Sequence, residues 1–117
     1  MWPLIKIQIT SIEKDIYYSG IEKSIKLGEK NTYSISGHIG VQEFVFIPYN
    51  QKTKFTVDIY INDKLVYNET GTDMLTKKLD KSVTANDVIK FAITYPKESP
   101  NSSSFESFVI LNHNPQQ

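Results

Sequence analysis

The residue types that could support catalysis are present in this 117-residue chain, but they fall into no catalytic arrangement. His38 lies in a loop bounded by glycines and His113 lies in a polar tail. None of the eleven serines sits in a nucleophile elbow. The chain also has no cysteine and no glycine-rich loop of the kind that holds phosphate. These features predict a protein that is not an enzyme and has no cofactor.

Side chains that carry oxygen gather around two loops, but they lack the spacing of a calcium loop. They are Asn62, Asp63, Asn68, Glu69 and Asp73. Calcium takes about six to eight oxygen ligands, and asparagine and aspartate are also the residues that turns favour. Because no EF-hand spacing is present, the sequence predicts no metal site.

Tyrosines close to acids and amides indicate a different chemistry, the binding of sugars. An aromatic ring can stack on a sugar ring while neighbouring polar groups bond to the sugar hydroxyls. The candidate glycan-binding residues are Tyr60, Tyr67, Asp58, Tyr49 and Asn50. The alternative is that these tyrosines cap the rim of the core.

A β-hairpin from Phe55 to Tyr67 is expected to position most of these candidates. Apolar and polar residues alternate along its first strand, which is the period of a half-buried strand. Asn62 and Asp63 tolerate positive φ and suit a two-residue turn. With that turn Tyr67 shares the outer face with Tyr60, whereas a three-residue loop moves Tyr67 to the core side.

The elements around the hairpin predict one all-β domain over residues 1–117, an antiparallel β-sandwich. Turn signals recur every ~8–12 residues between short apolar runs, as they do in two-sheet sandwiches. The expected core consists of Ile7, Ile25, Leu27, Tyr33, Ile35, Phe44, Phe46, Val57, Ile59, Ile89, Phe91, Ile93, Val109 and Leu111.

The N-terminal segment fits both a strand and a helix. Ile5, Ile7 and Ile9 alternate with polar residues, which is strand spacing, and β-branching favours a strand. Ile5 and Ile9 also begin a helical series that continues through Ile12 and Ile16. The helical alternative would need packing against another element or subunit.

Charge and hydropathy exclude several partners. Lysines and acids balance at 13 each, and arginine is absent, so a nucleic-acid partner is not expected. No apolar run approaches the ~20 residues of a membrane span. The start at Met1-Trp2-Pro3 does not resemble a signal peptide, so the sequence fits a cytosolic chain, a chain exported by another route, or a mature domain given a starting Met.

Several segments resemble the Fve-type fungal immunomodulatory proteins. The similar segments are Leu4-Ile5 with Ile12 to Tyr17, Leu27 to Val41 with its glycine turn, Thr84 to Phe91, and Phe108 to Ile110. They cover most of the chain but consist of short β patterns. Asp63 to Lys81 has no good counterpart in the family.

The resemblance implies an immunoglobulin-like or fibronectin-III-like sandwich that binds glycans and is secreted without a typical signal peptide. It also implies an N-terminal helix, within residues 1–18, that pairs two subunits into a homodimer. Its contacts would come from Trp2, Leu4, Ile5, Ile9 and Ile12. The sequence thus predicts a lectin-like, immunomodulatory module whose partner is a carbohydrate or a cell-surface glycoprotein. The alternative is a structural or assembly subunit of a virus or cell-surface appendage that acts through protein–protein contacts.

Overall fold

The residues that the computed structural model describes, 4–11, 18–36, 41–49, 52–84, 86–97 and 106–113, are organised by strands alone. These strands are β1 (Leu4–Ser11), β2 (Tyr18–Ser24), β3 (Lys30–Ser36), β4 (Val41–Ile47), β5 (Phe55–Ile61), β6 (Lys64–Gly71), β7 (Leu75–Val83), β8 (Val88–Thr94) and β9 (Glu106–His113).

Strand β1 decides between the two alternatives at the N-terminus. Leu4–Ser11 pairs antiparallel with β2 and parallel with β9, so both of its edges are occupied. The helical alternative is therefore wrong for this segment, whose isoleucines follow their strand propensity. Ile12 and Ile16, on which the helical spacing also depended, lie outside the described residues.

The predicted hairpin of β5 and β6 is present, and its turn has two residues. Asn62 and Asp63 have φ values of 52° and 67°, which is the turn geometry that matches the twist of two paired strands. The side chain of Asn62 also holds the turn in place: its Oδ1 accepts a bond of 2.9 Å from the backbone of Val88. Its Nδ2 donates to Asp87 Oδ1 at 2.7 Å.

A β-bulge then shifts the register of the hairpin. Tyr60 pairs with Leu65, as a two-residue turn requires, but Ile59 pairs with Tyr67 instead of Val66. The extra residue therefore moves every later residue of β6 by one position. Tyr67 therefore lies on the core side of the sheet, whereas a two-residue turn without a bulge would place it on the outer face.

The strands form two sheets, which confirms the predicted β-sandwich. One sheet has the order β2-β1-β9-β4-β7 and the other the order β3-β8-β5-β6. All neighbouring pairs are antiparallel except β1 and β9. If β1 is left out, the two sheets have the strand orders of an eight-stranded jelly roll, which are β2-β9-β4-β7 and β3-β8-β5-β6. In the immunoglobulin sandwich the last two strands pair with each other, whereas here β8 and β9 lie in different sheets, so the strand order is not immunoglobulin-like or fibronectin-III-like.

The core lies between the two sheets and contains most of the residues expected there. Ten predicted residues are buried: Ile25, Phe44, Phe46, Val57, Ile59, Ile89, Phe91, Ile93, Val109 and Leu111. Leu27, Tyr33 and Ile35 are half-buried against them, and the side chain of Ile7 lies outside the described part. The prediction missed Ile5, Phe55, Leu75 and Tyr95, which are also buried in this core, whereas Ala92 is buried on the other face of its sheet, opposite Asp58.

Aromatic rings join the sheets at the centre of this core. The Phe46 and Phe55 rings meet edge to face with their centroids 4.7 Å apart. Tyr95 lies nearby, and its hydroxyl is 2.8 Å from the hydroxyl of buried Ser107. Burial raises the pKa of Tyr95 to about 12, and the contact with Ser107 opposes that shift. The phenol therefore stays protonated as a hydrogen-bonded member of the core.

Strands β6 and β7 are edges of different sheets, and residues 72–74 connect them directly. Because the connection is so short, both edges lie on the same side of the sandwich. This side is where the two sheets leave an opening.

Candidate functional site

The outer face of the four-stranded sheet carries two of the predicted glycan residues, Asp58 and Tyr60. Val57 and Ile59 on the same strand are buried in the core, so the residues that alternate with them point away from it. Asp58 pairs with Asn68 on one side and with Ala92 on the other. The two predicted residues are thus neighbours on one face, as expected from the sequence.

Four side chains on this face bond to one another, and we call them the outer-face cluster: Lys30, Asp58, Tyr60 and Asn68. Lys30 Nζ donates to the Tyr60 hydroxyl at 2.8 Å and lies 3.5 Å from Asp58 Oδ2. Asn68 Nδ2 donates to Asp58 Oδ1 at 2.5 Å. The bond to Tyr60, followed by the charge of Asp58, raises the pKa of the Lys30 amine. Only 7% of Asp58 is exposed, so a ligand would have to displace side chains that already satisfy it.

Tyr67 lies on the opposite face of this sheet and does not join the outer-face cluster. It pairs with Ile59, and residues directly opposite each other point to the same face. Its ring is half-buried against the core. This corrects the two-residue-turn prediction, in which Tyr67 accompanied Tyr60, and the bulge is the physical cause.

Lys77 reaches Tyr67 from the other sheet. It pairs with the fully buried Phe44, so it points into the space between the sheets. Its Nζ lies 5.3 Å from the centroid of the Tyr67 ring, which is within the range of a cation–π contact. Lys77 was not among the predicted site residues, but its position between Leu75 and Leu79 on the apolar face of β7 was a usable signal.

A cleft of about 560 Å³ opens between β6 and β7 at this side of the sandwich. We call it the edge cleft. Its lining residues are Phe55, Tyr67, Glu69, Gly71, Thr72, Asp73, Met74, Leu75 and Thr76. This size falls within the ~300–1,000 Å³ that is usual for small-molecule sites.

The chemistry of the edge cleft is that of one aromatic ring surrounded by oxygens. Burial, and then the charge of Glu69, raise the pKa of the Tyr67 phenol, which therefore remains a hydrogen-bond donor. Gly71 pairs with buried Phe55, so a side chain at this position would lie on the cleft side, and a Cβ built there meets nothing within 4 Å. Asp73 and Glu69 offer carboxylate acceptors. The arrangement can bind a polyhydroxy compound through its ring face and hydroxyls together.

The second pair of predicted glycan residues lies away from both sites. Tyr49 is half-buried against the core, with its ring centroid 6.3 Å from that of Tyr95. Its hydroxyl is 3.1 Å from the Thr53 hydroxyl. Asn50 lies outside the described residues. Tyr49 therefore has the rim-packing role that the sequence analysis gave as the alternative.

The residues expected to form a dimer contact are only partly within the described chain. Ile5 is fully buried in the core of its own subunit, so it cannot contribute to a subunit contact. Leu4 and Ile9 belong to β1, whose two edges are both paired. Trp2 and Ile12 lie outside the described residues.

The oxygen-bearing residues that were considered for calcium are distributed over three places. Asn62 bonds to Asp87, Asp63 accepts from Lys90 Nζ at 2.7 Å, and Asn68 belongs to the outer-face cluster. The other two line the edge cleft. Within the described ranges, no group of three histidine, cysteine or acidic side chains could hold a metal ion.

Comparison with known proteins adds no family to this description. No protein-family model matches the chain, and no curated protein or solved structure matches it either. The similarity to the Fve-type proteins therefore stays a prediction. Among the described residues, no helix is long and apolar enough to cross a membrane.

Proposed function

We propose that this chain is a non-catalytic, lectin-like module that binds carbohydrate in the edge cleft. The observation that carries the proposal is the Tyr67 ring, held at the margin of the core beneath Lys77 and next to Glu69. Stacking requires a ring whose position is fixed, and recognition of hydroxyls requires acceptors beside it.

The edge cleft supports this proposal better than the outer-face cluster does. The carboxylate of Asp58 is already bonded by Lys30 and Asn68, whereas no hydrogen bond or ion pair joins Glu69 to another described residue. A sugar entering the cleft would gain a carboxylate partner without breaking an existing bond. The proposed site therefore keeps Tyr67 and replaces its predicted partners with Glu69 and Asp73.

The jelly-roll strand order is compatible with the proposal but does not carry it. Lectin domains use this architecture, and so do viral capsid proteins and cupins. The partner class follows from the resemblance to Fve-type proteins, in which the ligand is a glycan or cell-surface glycoprotein. Secretion and immunomodulatory activity belong to the proposal on that same basis.

A glycan array, followed by calorimetric titration of the strongest ligand, tests the proposal. We expect Tyr67→Ala to weaken binding about tenfold, equivalent to about 1.4 kcal/mol. Gly71→Leu should weaken it at least as much, because the new side chain projects into the open cleft. The matched control is Tyr60→Ala, which removes a tyrosine from the other face and should leave affinity unchanged.

Gly71→Leu also guards against an effect of unfolding, because it removes no core contact, whereas Tyr67→Ala does. The proposal fails if the wild-type chain binds no glycan. It also fails if Tyr60→Ala abolishes binding while both cleft variants bind normally.

The second candidate function is a structural or assembly subunit. The observation that favours it is the exposed apolar pair on edge strand β6, where Leu65 is 51% exposed and Val66 40% exposed. Exposed apolar residues on an unpaired edge are a common feature of surfaces that contact other protein chains.

A further inference from the structure

Strand β6 is the less protected of the two edges on the open side of the sandwich. It is the terminal strand of its sheet, and only Lys64 and Glu69 among its eight residues are charged. Edge strand β7 carries Lys77 and Lys78 in its middle, which is a usual protection against pairing. Leu65 and Val66 instead leave β6 apolar where it is exposed.

The bulge gives two residues of β6 the same backbone orientation. Ile61 and Lys64 flank the two-residue turn, so they exchange backbone hydrogen bonds with each other. In an antiparallel pair the orientation alternates, so the N–H and C=O of the next residue, Leu65, point away from β5. After the bulge, Tyr67 faces β5, and alternation turns Asn68 outward. Leu65 and Asn68 therefore both present, at the edge of the described sheet, backbone groups that no other described strand pairs.

This pattern is complementary to a second copy of itself in one antiparallel register. If Leu65 of one copy lies opposite Asn68 of the other, Lys64 lies opposite Glu69, and symmetry repeats both pairs. Opposite charges placed directly across a strand pair stabilise it, and like charges destabilise it. The alternative register that pairs Asn68 with Thr70 would place Glu69 opposite Glu69 and is therefore disfavoured.

We propose that two copies of this chain associate through antiparallel pairing of their β6 strands, with Lys64 of each copy opposite Glu69 of the other. The pairing joins two four-stranded sheets into one continuous sheet across a two-fold axis. It covers Leu65 and Val66, the exposed apolar residues of this edge. The interface uses the backbone edge of β6 and needs no glycan to form. It shares Glu69 with the edge cleft, so a bound sugar and the partner's Lys64 would compete for this carboxylate.

A charge exchange tests both the interface and its register. Sedimentation velocity and light scattering over a range of concentrations should give a dimer of twice the 13.4 kDa chain mass. Lys64→Glu places two acids opposite each other, and Glu69→Lys places two lysines opposite each other. Each single change should raise the dimer dissociation constant roughly tenfold or more.

The double variant Lys64→Glu, Glu69→Lys restores opposite charges and should restore the dimer. Both side chains are exposed, and circular dichroism with thermal melting would verify that each variant is folded. A wild-type chain that is monomeric at all concentrations overturns the proposal. So does a dimer that survives the single changes, which would lie at another surface, or a double variant that stays monomeric.

Discussion

A tyrosine, a lysine and an acid occur both in the outer-face cluster and at the edge cleft, where Lys77 adjoins the lining residues, but their arrangements are opposite. In the outer-face cluster, Lys30 bonds to the hydroxyl of Tyr60 and pairs with Asp58, which is almost fully covered. Its polar groups satisfy one another. Such a cluster stabilises the sheet and leaves little for a ligand to bind.

At the edge cleft, Lys77 lies over the face of the Tyr67 ring, and the exposed Glu69 lines the cleft. The lysine fixes the ring but bonds to neither the phenol nor the acid. The Tyr67 hydroxyl and the Glu69 carboxylate are thus held in place without a hydrogen-bond partner among the described residues, while Lys77 covers one face of the ring. Composition alone therefore does not distinguish a structural cluster from a binding site, because what matters is whether the polar groups already have partners.

The largest change in stability is expected when the buried acid Asp58 is replaced and compared with replacement of the exposed acid Asp63. Asp58→Asn removes a carboxylate that Lys30 and Asn68 both bond, so the free energy of unfolding should fall by about 1–3 kcal/mol. Asp63→Asn is the matched control. It also removes the partner of a lysine, Lys90, but its side chain is 82% exposed, and asparagine tolerates its positive φ.

For Asp63→Asn we expect a loss of less than about 1 kcal/mol, as for other exposed ion pairs. Urea unfolding of the two variants gives both values. Equal losses would show that the outer-face cluster is no more stabilising than a surface pair. A loss of glycan affinity in Asp58→Asn would return the binding site to the outer face.

Alanine substitutions at two glycines test how much space each region leaves for a side chain. Gly28 precedes β3, the strand that carries Lys30, at φ +77°, and a Cβ there would lie 2.9 Å from the Cβ of Lys97. Gly28→Ala should therefore destabilise the fold by about 1–2 kcal/mol. Gly71→Ala adds a methyl group in open space and should stabilise it by about 0.4–1 kcal/mol, since the unfolded chain loses freedom.

Thermal melting of both alanine variants measures whether each substitution raises or lowers the stability of the fold. Destabilisation by Gly71→Ala would mean that the edge cleft is filled in solution. A neutral Gly28→Ala would mean that this turn can relax, and the outer-face region would then be less rigid than its contacts indicate.

The smallest effect concerns the phenol of Tyr67. Its pKa is raised by burial and by the charge of Glu69. Glu69→Gln removes the negative charge that disfavours the tyrosinate, so the pKa should move down toward its ordinary value while the contribution of burial remains. An NMR titration measures the pKa of Tyr67, and the variant Tyr67→Phe assigns its signal. The control is Asp63→Asn, which removes a negative charge outside the cleft. A pKa unchanged by Glu69→Gln would place this acid too far away to share a ligand with the ring.

The bulge in β6 marks the point at which local sequence stopped predicting the site. The alternation of β5 and the turn at Asn62 follow from short-range sterics, and both were predicted. No local feature distinguishes Val66 as the extra residue. Its position follows from the burial of the Tyr67 ring against the core beneath Lys77, which belongs to the other sheet.

The arrangement of strands was predictable only to the level of a sandwich. Each strand shows its period in the sequence, and most core residues follow from that period. The placement of β8 and β9 in different sheets follows from long-range pairing, which no neighbouring residues encode. The immunoglobulin-like expectation did not hold because it rested on a resemblance between short segments.

Local sequence patterns are enough to specify a sandwich of short strands with a tight hairpin and an apolar core, because side-chain alternation and turn preference act over a few residues. Long-range packing places β1 inside its sheet, covers Asp58, and brings Tyr67 and Lys77 together across the two sheets. Local patterns do not specify these features, because register and burial depend on contacts between residues far apart in the chain. A shift of one residue reverses the face on which a side chain lies.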